Sequence, residues 1–213
     1  MKKLFLASQV RHPESIKKLE KFVGGIAGKT IVYIPTAANG EESYGAWKTE
    51  SDTWKLVNTL GAKVEAVVLE EYKDASVLEH LKGKDIIWMA GGACGYLTYW
   101  LRRCEVDKHI NELLENGSVY VGSSAGSMVC ARTLDLAEVY VGENEHGVKV
   151  VPGLGLIDFD FYPHYEDEML PEIKKVWKGG DLYLIKNGEV VTVADGKVEV
   201  LGEKRILRNG ELV

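Results

Sequence analysis

The sequence has little of the features that mark nucleic-acid-binding and membrane proteins. Its 26 Lys and Arg residues are outnumbered by 32 Asp and Glu residues, and the net charge of −6 provides no basic surface for nucleic acid. No apolar run approaches the roughly 20 residues that a transmembrane helix needs, so no membrane partner is expected. The apolar stretch near the start ends at Ser8, which is too early for a signal peptide. We therefore expect a cytoplasmic protein.

Cysteine is also scarce. The three cysteines, Cys94, Cys104 and Cys130, are odd in number and lack metal-ligand spacing, so we expect reduced thiols and no metal. Neither a phosphate-binding G-x-x-x-x-G-K-[ST] loop nor a complete G-x-G-x-x-G after a strand is present, and we expect no cofactor. The length of 213 residues suits a single domain spanning 1–213. The sequence is compatible with a monomer or a homodimer.

Short β-type apolar runs alternate with amphipathic segments in the first 130 residues. Strands are predicted over residues 3–7, 29–35, 63–69, 85–89 and 119–121. Helices are predicted over residues 15–23, 47–60, 75–81, 95–103, 106–115 and 125–132. This alternation predicts an α/β fold with a mostly parallel sheet flanked by helices on both faces. Ligands of such sheets bind at the carboxyl ends of the strands.

The alternation stops after residue 132. Residues 134–151 are acidic and loop-like, and a further helix is predicted near residues 168–177. Four short β runs follow, with turn pairs such as Asn187-Gly188 between them. We interpret this tail as a C-terminal antiparallel β extension of the sheet edge.

The segment Val119–Cys130 has the pattern of a nucleophile elbow. An apolar strand leads into Gly-Ser-Ser-Ala-Gly, in which Gly122 and Gly126 flank Ser124 at the spacing G-x-S-x-G. Such a turn exposes the serine hydroxyl beside free amides at a helix start, where developing negative charge is favoured. Ser124 is therefore the candidate nucleophile. A turn that only caps a helix or binds a phosphate is the alternative.

An activated serine needs a general base, which is usually histidine. Four histidines lie in charged or polar segments and are interpreted as surface residues: His12, His80, His109 and His146. His164 instead follows Pro163 within an aromatic segment that is expected to shield it from water. We interpret His164 as the base. Several acids in residues 135–168 are available to orient its ring, and their spacing does not distinguish among them.

The developing oxyanion needs backbone donors. The amide of Ala125 follows the nucleophile directly, and the Gly91-Gly92 turn ends the neighbouring predicted strand, where glycine permits close backbone approach. An ordinary strand-to-helix turn is the alternative for the two glycines. Cys94 lies beside this turn and is interpreted as a packing thiol, because nothing nearby in the sequence lowers its pKa.

Three motifs in this order resemble the S51 serine peptidases, a family that includes aspartyl dipeptidases (peptidase E) and the more distant cyanophycinases. They are Ala90-Gly91-Gly92, Gly122-Ser123-Ser124-Ala125-Gly126 and Pro163-His164. The resemblance spans residues 31–165. It implies a parallel α/β sandwich like that of class I glutamine amidotransferases, with flavodoxin-like layering.

The resemblance also implies roles for individual residues. Ser124 would be the nucleophile, His164 the base, and the amides of Gly92 and Ala125 the oxyanion donors. The third member of the triad would be an acid shortly after the nucleophile helix, for which Glu138 is nearest and Asp135 is the rival. No arginine follows His164 until Arg205, so the cation expected to bind an N-terminal Asp is missing from that segment.

We therefore predict a serine peptidase that hydrolyses short peptides, in the manner of a dipeptidase, through a Ser-His-acid triad and an acyl-enzyme. One alternative is an esterase. Another is a non-catalytic α/β module that binds a small molecule or nucleotide at the glycine turns.

Overall fold

The computed structural model describes residues 2–41, 43–136 and 152–213. The strands are β1 (Lys3–Ala7), β2 (Thr30–Ile34), β3 (Lys63–Ala66), β4 (Ile86–Met89), β5 (Val119–Ser123), β6 (Asp160–Tyr162), β7 (Leu182–Leu184), β8 (Val190–Ala194), β9 (Lys197–Leu201), β10 (Ile206–Arg208) and β11 (Glu211–Leu212). The helices are α1 (Pro13–Val23), α2 (Thr36–Asn39), α3 (Trp47–Glu50), α4 (Asp52–Val57), α5 (Leu69–Tyr72), α6 (Leu78–Leu81), α7 (Cys94–Arg103), α8 (Val106–Glu115), α9 (Ala125–Met128) and α10 (Leu170–Val176). Short 3-10 turns precede α6 and α10.

A seven-stranded sheet in the order β3-β2-β4-β5-β1-β8-β9 forms the centre of the molecule. Its first five strands are parallel, and β8 and β9 complete it in antiparallel pairing. The predicted mostly parallel sheet is thereby confirmed. Because β1 and β5 pair with Ala7 opposite Ser123, the residues after both strands emerge side by side at the carboxyl edge.

Alternation along the strands creates two apolar cores, one on each face of the sheet. In β2, Val32 and Ile34 belong to one core, whereas Ile31 and Tyr33 belong to the other. The first core is covered by α7 and α8, and the second by α1, α3 and α4. Both faces are buried, as is usual for parallel strands.

The tail divides between two sheets, which the prediction of a single edge extension did not include. Strands β8 and β9 extend the central sheet, but β11-β10-β7-β6 form a separate four-stranded sheet in which β6 and β7 are parallel. Phe161, Leu182 and Leu184 are completely buried in the core shared with α7 and α8. Because these side chains are buried against that core, β7 lies in the second sheet and not in the central one.

Two predicted helices are shorter or broken. The helix predicted over residues 47–60 is interrupted at Ser51, whose side chain accepts a hydrogen bond from the Trp54 amide and caps α4. The helix predicted over 125–132 ends at Met128. The carbonyls of residues 129–132 accept hydrogen bonds from amides of residues 153–157 instead, as in Leu154 N to Val129 O at 2.7 Å.

The loop-like segment predicted over residues 134–151 lies almost entirely outside the described residues. None of the helices in the described ranges is long and apolar enough to cross a membrane.

Candidate active site

Ser124 occupies a sharp bend between β5 and α9. Its backbone has φ 49° and ψ −115°, a conformation that non-glycine residues rarely adopt. The Ser124 amide donates to Ala7 O at 3.1 Å, and the Ser124 carbonyl accepts from Met128 N at 3.0 Å. These bonds to β1 and α9 hold the strained backbone and direct the hydroxyl to the carboxyl edge of the sheet.

The bend needs glycine on both sides because the surrounding backbone is very close. A Cβ on Gly122 would lie 2.6 Å from Gly126 O, and a Cβ on Gly126 would lie 2.4 Å from Met89 O. Both distances are below any normal carbon–oxygen contact. The G-x-S-x-G spacing therefore has a packing cause in this fold, and it places α9 directly against β4 and β5.

His164 lies opposite Ser124, with its Nε2 3.0 Å from Ser124 Oγ. It follows β6 and also has a positive φ of 54°. Its amide donates to Ser8 Oγ at 2.7 Å. The neighbours Tyr162 and Tyr165 are each 1% exposed and His164 is half-buried, so one edge of the imidazole faces protein and the other faces the cleft.

The Nδ1 atom of His164 contacts an amide side chain. Asn187 Oδ1 lies 2.8 Å from Nδ1, and Ser8 Oγ lies 3.4 Å from the same nitrogen. Ser8 Oγ also donates to Asn187 Oδ1 at 2.9 Å. The imidazole is thus oriented within the described residues by a neutral amide and a hydroxyl.

The two acids that the resemblance implied have different positions. Glu138 lies outside the described residues. Asp135 is exposed and is close enough to Asp160 for its charge to act there: burial, and then the Asp135 charge, raise the pKa of Asp160 to about 6. The Nδ1 partners of His164 in the described chain are Asn187 and Ser8, so Asp135 does not occupy the orienting position.

The Gly91-Gly92 turn lies against the elbow. A Cβ on Gly91 would be 3.3 Å from Ser124 Cβ and 4.0 Å from its Oγ. Gly92 has φ 134°, and a Cβ there would lie 2.2 Å from Ala37 O, which only glycine avoids. The turn therefore brings backbone into close contact with Ser124.

A cleft of about 320 Å³ opens beside these groups. Ser124, His164 and the glycine turn lie along one side. The lining also includes three acidic residues, Glu41, Glu50 and Asp52, and one basic residue, Arg11. Arg11 is already bound to Asp52, with Nη1 2.5 Å from Oδ2.

The acidic run after His164 is not part of this lining. Asp167 accepts a hydrogen bond from Lys186 Nζ at 2.6 Å, which lowers the pKa of its carboxyl. The acidic residues of the cleft are instead Glu41, Glu50 and Asp52, which the sequence did not single out.

The other described histidines have local partners away from Ser124. They are His12 beside the Glu14 amide, His80 beside Glu65 and His109 beside Glu112. His146 lies outside the described residues.

All three cysteines are buried, and none of them forms a disulfide. Cys94 Sγ contacts Met128 Sδ at 3.6 Å, in agreement with a packing thiol, and burial raises the pKa of Cys130 to about 12. Within the described parts of the chain, no group of three or more His, Cys, Asp or Glu side chains is arranged to hold a metal ion.

Sequence reasoning missed Ser8, Asn187 and Arg11. Ser8 follows a strand adjacent to the elbow strand, and its place at the carboxyl edge was the available signal. Asn187 was interpreted as half of a turn pair. Arg11 lies in the loop after β1, far in sequence from the segment that was searched for a cation.

Comparison with known proteins identifies the class. Residues 4–201 match the model of peptidase family S51. An uncharacterized peptidase of Listeria monocytogenes is 28% identical over 208 residues, covering 93% of this chain and 97% of the relative. A probable alpha-aspartyl dipeptidase of Drosophila melanogaster is 28% identical over 199 residues, covering 86% and 75% of the two chains. The crystal structure of a putative peptidase E protein from Listeria monocytogenes superposes with a TM-score of 0.76, at 25% identity, over 94% of this chain and 98% of the other.

The chain belongs to peptidase family S51. It is a serine-type peptidase with the α/β architecture of the class I glutamine amidotransferase type. The family resemblance stated from the three motifs is confirmed, and the esterase and the non-catalytic binding module are set aside.

Proposed function

We propose that the protein is a dipeptidase-like enzyme in which Ser124 and His164 cleave short peptides through an acyl-enzyme. The observation that carries this proposal is the 3.0 Å separation of Ser124 Oγ and His164 Nε2 at the rim of the cleft. That distance allows direct proton transfer between the two atoms.

In the first half of the reaction, Ser124 Oγ attacks the scissile carbonyl while its proton passes to Nε2 of His164. The imidazolium then gives this proton to the leaving amine. In the second half, His164 removes a proton from water as the water oxygen attacks the acyl group. The bond to Ser124 Oγ then breaks, the acid is released, and the imidazolium returns its proton to Oγ. The neutral amide of Asn187 keeps the ring aligned, with Nδ1 2.8 Å from Oδ1.

The oxyanion formed in each half is stabilised by the amides of Gly92 and Ala125. Their positions on the two turns that enclose Ser124 support this assignment. Because α9 has only four residues, the stabilisation comes from individual N–H groups rather than from a long helix dipole.

The substrate we propose is a short peptide with a free amino terminus. The cleft is at the small end of the range for ligand sites, which favours a few residues over an extended chain. Glu41, Glu50 and Asp52 outnumber Arg11, so the cleft attracts an α-ammonium group. Arg11 is paired with Asp52, and an acidic first residue must compete for it.

The first test is dipeptide hydrolysis by the Ser124→Ala variant. Loss of the nucleophile is expected to lower kcat by at least about 10⁴-fold while the thermal unfolding curve stays that of a folded protein. The matched control is Ser127→Ala. Ser127 lies in the same turn, and its buried hydroxyl donates to Ala7 O at 3.0 Å. This control is expected to keep its activity. Substantial hydrolysis by a folded Ser124→Ala protein would exclude the proposed mechanism.

A further inference from the structure

Ser8 joins the backbone and the side chain of His164 to Asn187. It directly follows β1 and is completely buried. Its Oγ accepts from the His164 amide at 2.7 Å and donates to Asn187 Oδ1 at 2.9 Å. The Ser8 hydroxyl therefore accepts a hydrogen bond from His164, which carries the imidazole, and donates one to Asn187, which orients the imidazole.

The orientation of Asn187 determines which tautomer His164 adopts. To receive the proton of Ser124, Nε2 must be unprotonated, so the ring hydrogen must be on Nδ1. Nδ1–H needs an acceptor, which Asn187 offers only while its oxygen faces the ring. If the amide turns by 180°, its NH₂ group faces Nδ1, the hydrogen moves to Nε2, and His164 cannot act as a base.

An aspartate or glutamate at this place would present oxygen in either orientation, but an amide does not. The hydroxyl of Ser8 selects between the two orientations of the Asn187 amide. Its hydrogen cannot point at the His164 amide, which is itself a donor. In the turned orientation its remaining acceptor is Nδ1 of His164, which lies 3.4 Å away, against 2.9 Å for Asn187 Oδ1. Because a hydrogen bond weakens with distance, the orientation with Oδ1 toward Ser8 and Nδ1 is favoured.

We propose that Ser8 is a positioning residue that fixes the Asn187 amide and thereby keeps His164 in the Nδ1–H tautomer. This inference rests on the proposed role of His164 as the base. Ser8 acts through Asn187 and His164 and takes no part in bond making.

Removal of the hydroxyl in Ser8→Ala is expected to lower kcat by about 10- to 100-fold with little change in KM, because the inactive tautomer binds substrate equally well. Ser15→Ala is the matched control. Ser15 is also completely buried, but its hydroxyl has no hydrogen-bond partner among the described residues, and it lies on α1, away from the cleft. The control is expected to retain the kcat and KM of the parent protein.

A double-mutant cycle separates tautomer selection from simple support of the backbone. In Asn187→Asp both side-chain oxygens accept, so no orientation remains to be selected. When Ser8→Ala is added to the Asn187→Asp variant, it is then expected to lower kcat by less than about 5-fold, against about 10- to 100-fold in the parent. Equal losses in the two backgrounds would overturn the proposal and leave Ser8 as a support of the His164 backbone only.

The tautomer is also directly measurable at alkaline pH from the ¹⁵N shifts of the His164 ring, assigned by comparison with His164→Gln. The parent is expected to show Nδ1–H and Ser8→Ala mainly Nε2–H, because a loss of kcat of about 10-fold by this route corresponds to about 90% of the inactive tautomer. An unchanged tautomer in Ser8→Ala would contradict the proposal. If Ser124→Ala remains active, the proposed function is wrong. If Ser124→Ala is inactive, these measurements test the role of Ser8 alone.

Discussion

Two non-glycine residues with positive φ, Ser124 and His164, meet at the cleft. Each such conformation costs about 1–3 kcal/mol, which the surrounding structure must offset. For Ser124 the offset comes from bonds to β1 and α9, and for His164 it comes from the amide bond to Ser8. The two residues with positive φ carry the hydroxyl and the imidazole that lie 3.0 Å apart.

The stability of the protein is expected to depend on pH because of Asp160, which lies at the start of β6. Burial, and then the charge of Asp135, raise its pKa to about 6. A folded-state pKa above the unfolded value of about 3.9 means that the native state binds the proton more tightly, so Asp160 destabilises the protein as pH rises from about 4 to 6.

The variant Asp160→Asn is therefore expected to be more stable than the parent above pH 6. The gain is about 1 kcal/mol, less than the roughly 3 kcal/mol of the full pKa difference, because the half-buried carboxyl is partly screened by water. The gain should become small near pH 4 and vanish toward about pH 3, where the carboxyl of Asp160 is protonated in both the folded and the unfolded state. Urea unfolding at pH 4 and pH 7 measures it, and an equal difference at both values would show that the carboxyl charge is not the cause.

At the scale of elements, α5 positions the Gly91-Gly92 turn through α2. Glu70 of α5 is 6% exposed, and its carboxylate accepts from Thr36 Oγ1 at 2.7 Å and from Asn39 Nδ2 at 2.8 Å. Between those residues, Ala37 O accepts from the Ala93 amide at 3.0 Å, directly after the Gly91-Gly92 turn. A buried acid thus holds the helix on which the turn rests.

Glu70→Ala is expected to lower the free energy of unfolding by about 2–3 kcal/mol, since two buried donors lose their acceptor. Displacement of α2 should also lower kcat several-fold. The neighbouring Glu71→Ala is the control, because Glu71 is exposed and its weak contact with Tyr44 spans 3.4 Å, so a change within about 0.5 kcal/mol is expected. Denaturant unfolding of both variants tests this, and equal losses of stability would contradict the role given to Glu70.

At the scale of the whole molecule, the site combines the two sheets. Ser8 and Ser124 follow strands of the central sheet, and His164 follows β6 of the second sheet. Asn187 lies in the connection from β7 to β8, where the chain passes between them. Correct packing of the second sheet is therefore a condition for the contact of His164 with Ser124.

The nearly buried Arg205 joins these parts. It donates to Glu189 Oε2 at 2.7 Å, two residues after Asn187, and its guanidinium lies 5.9 Å from the ring of Tyr165, which follows His164. Burial alone would raise the pKa of Glu189, but hydrogen bonds from Arg205 and from two backbone amides lower it. This charged network holds the Asn187 connection against the His164 segment.

The parallel sheet and the positions of Ser124 and His164 were accessible from sequence because each depends on a local pattern: alternating apolar runs, a glycine-flanked serine and a histidine after proline. The contact of Ser8 with Asn187 was not, since it joins residues 179 positions apart. An amide in place of an expected acid has no sequence signature, and Asn187-Gly188 also satisfies the requirements of a turn. The division of the tail between two sheets depends on which apolar surface each strand covers, which strand patterns do not specify.

The most direct measurement is the reaction of the folded protein with a fluorophosphonate, followed by mass mapping of the modified residue. If the His164 imidazole activates only the Ser124 hydroxyl, a single phosphonyl group is expected on Ser124. Labelling should be much slower in His164→Gln, and position 124 should not be labelled in Ser124→Ala. Modification of Ser8 or Ser123 in place of Ser124, or an active protein that does not react, would contradict the assignment of Ser124 as the nucleophile.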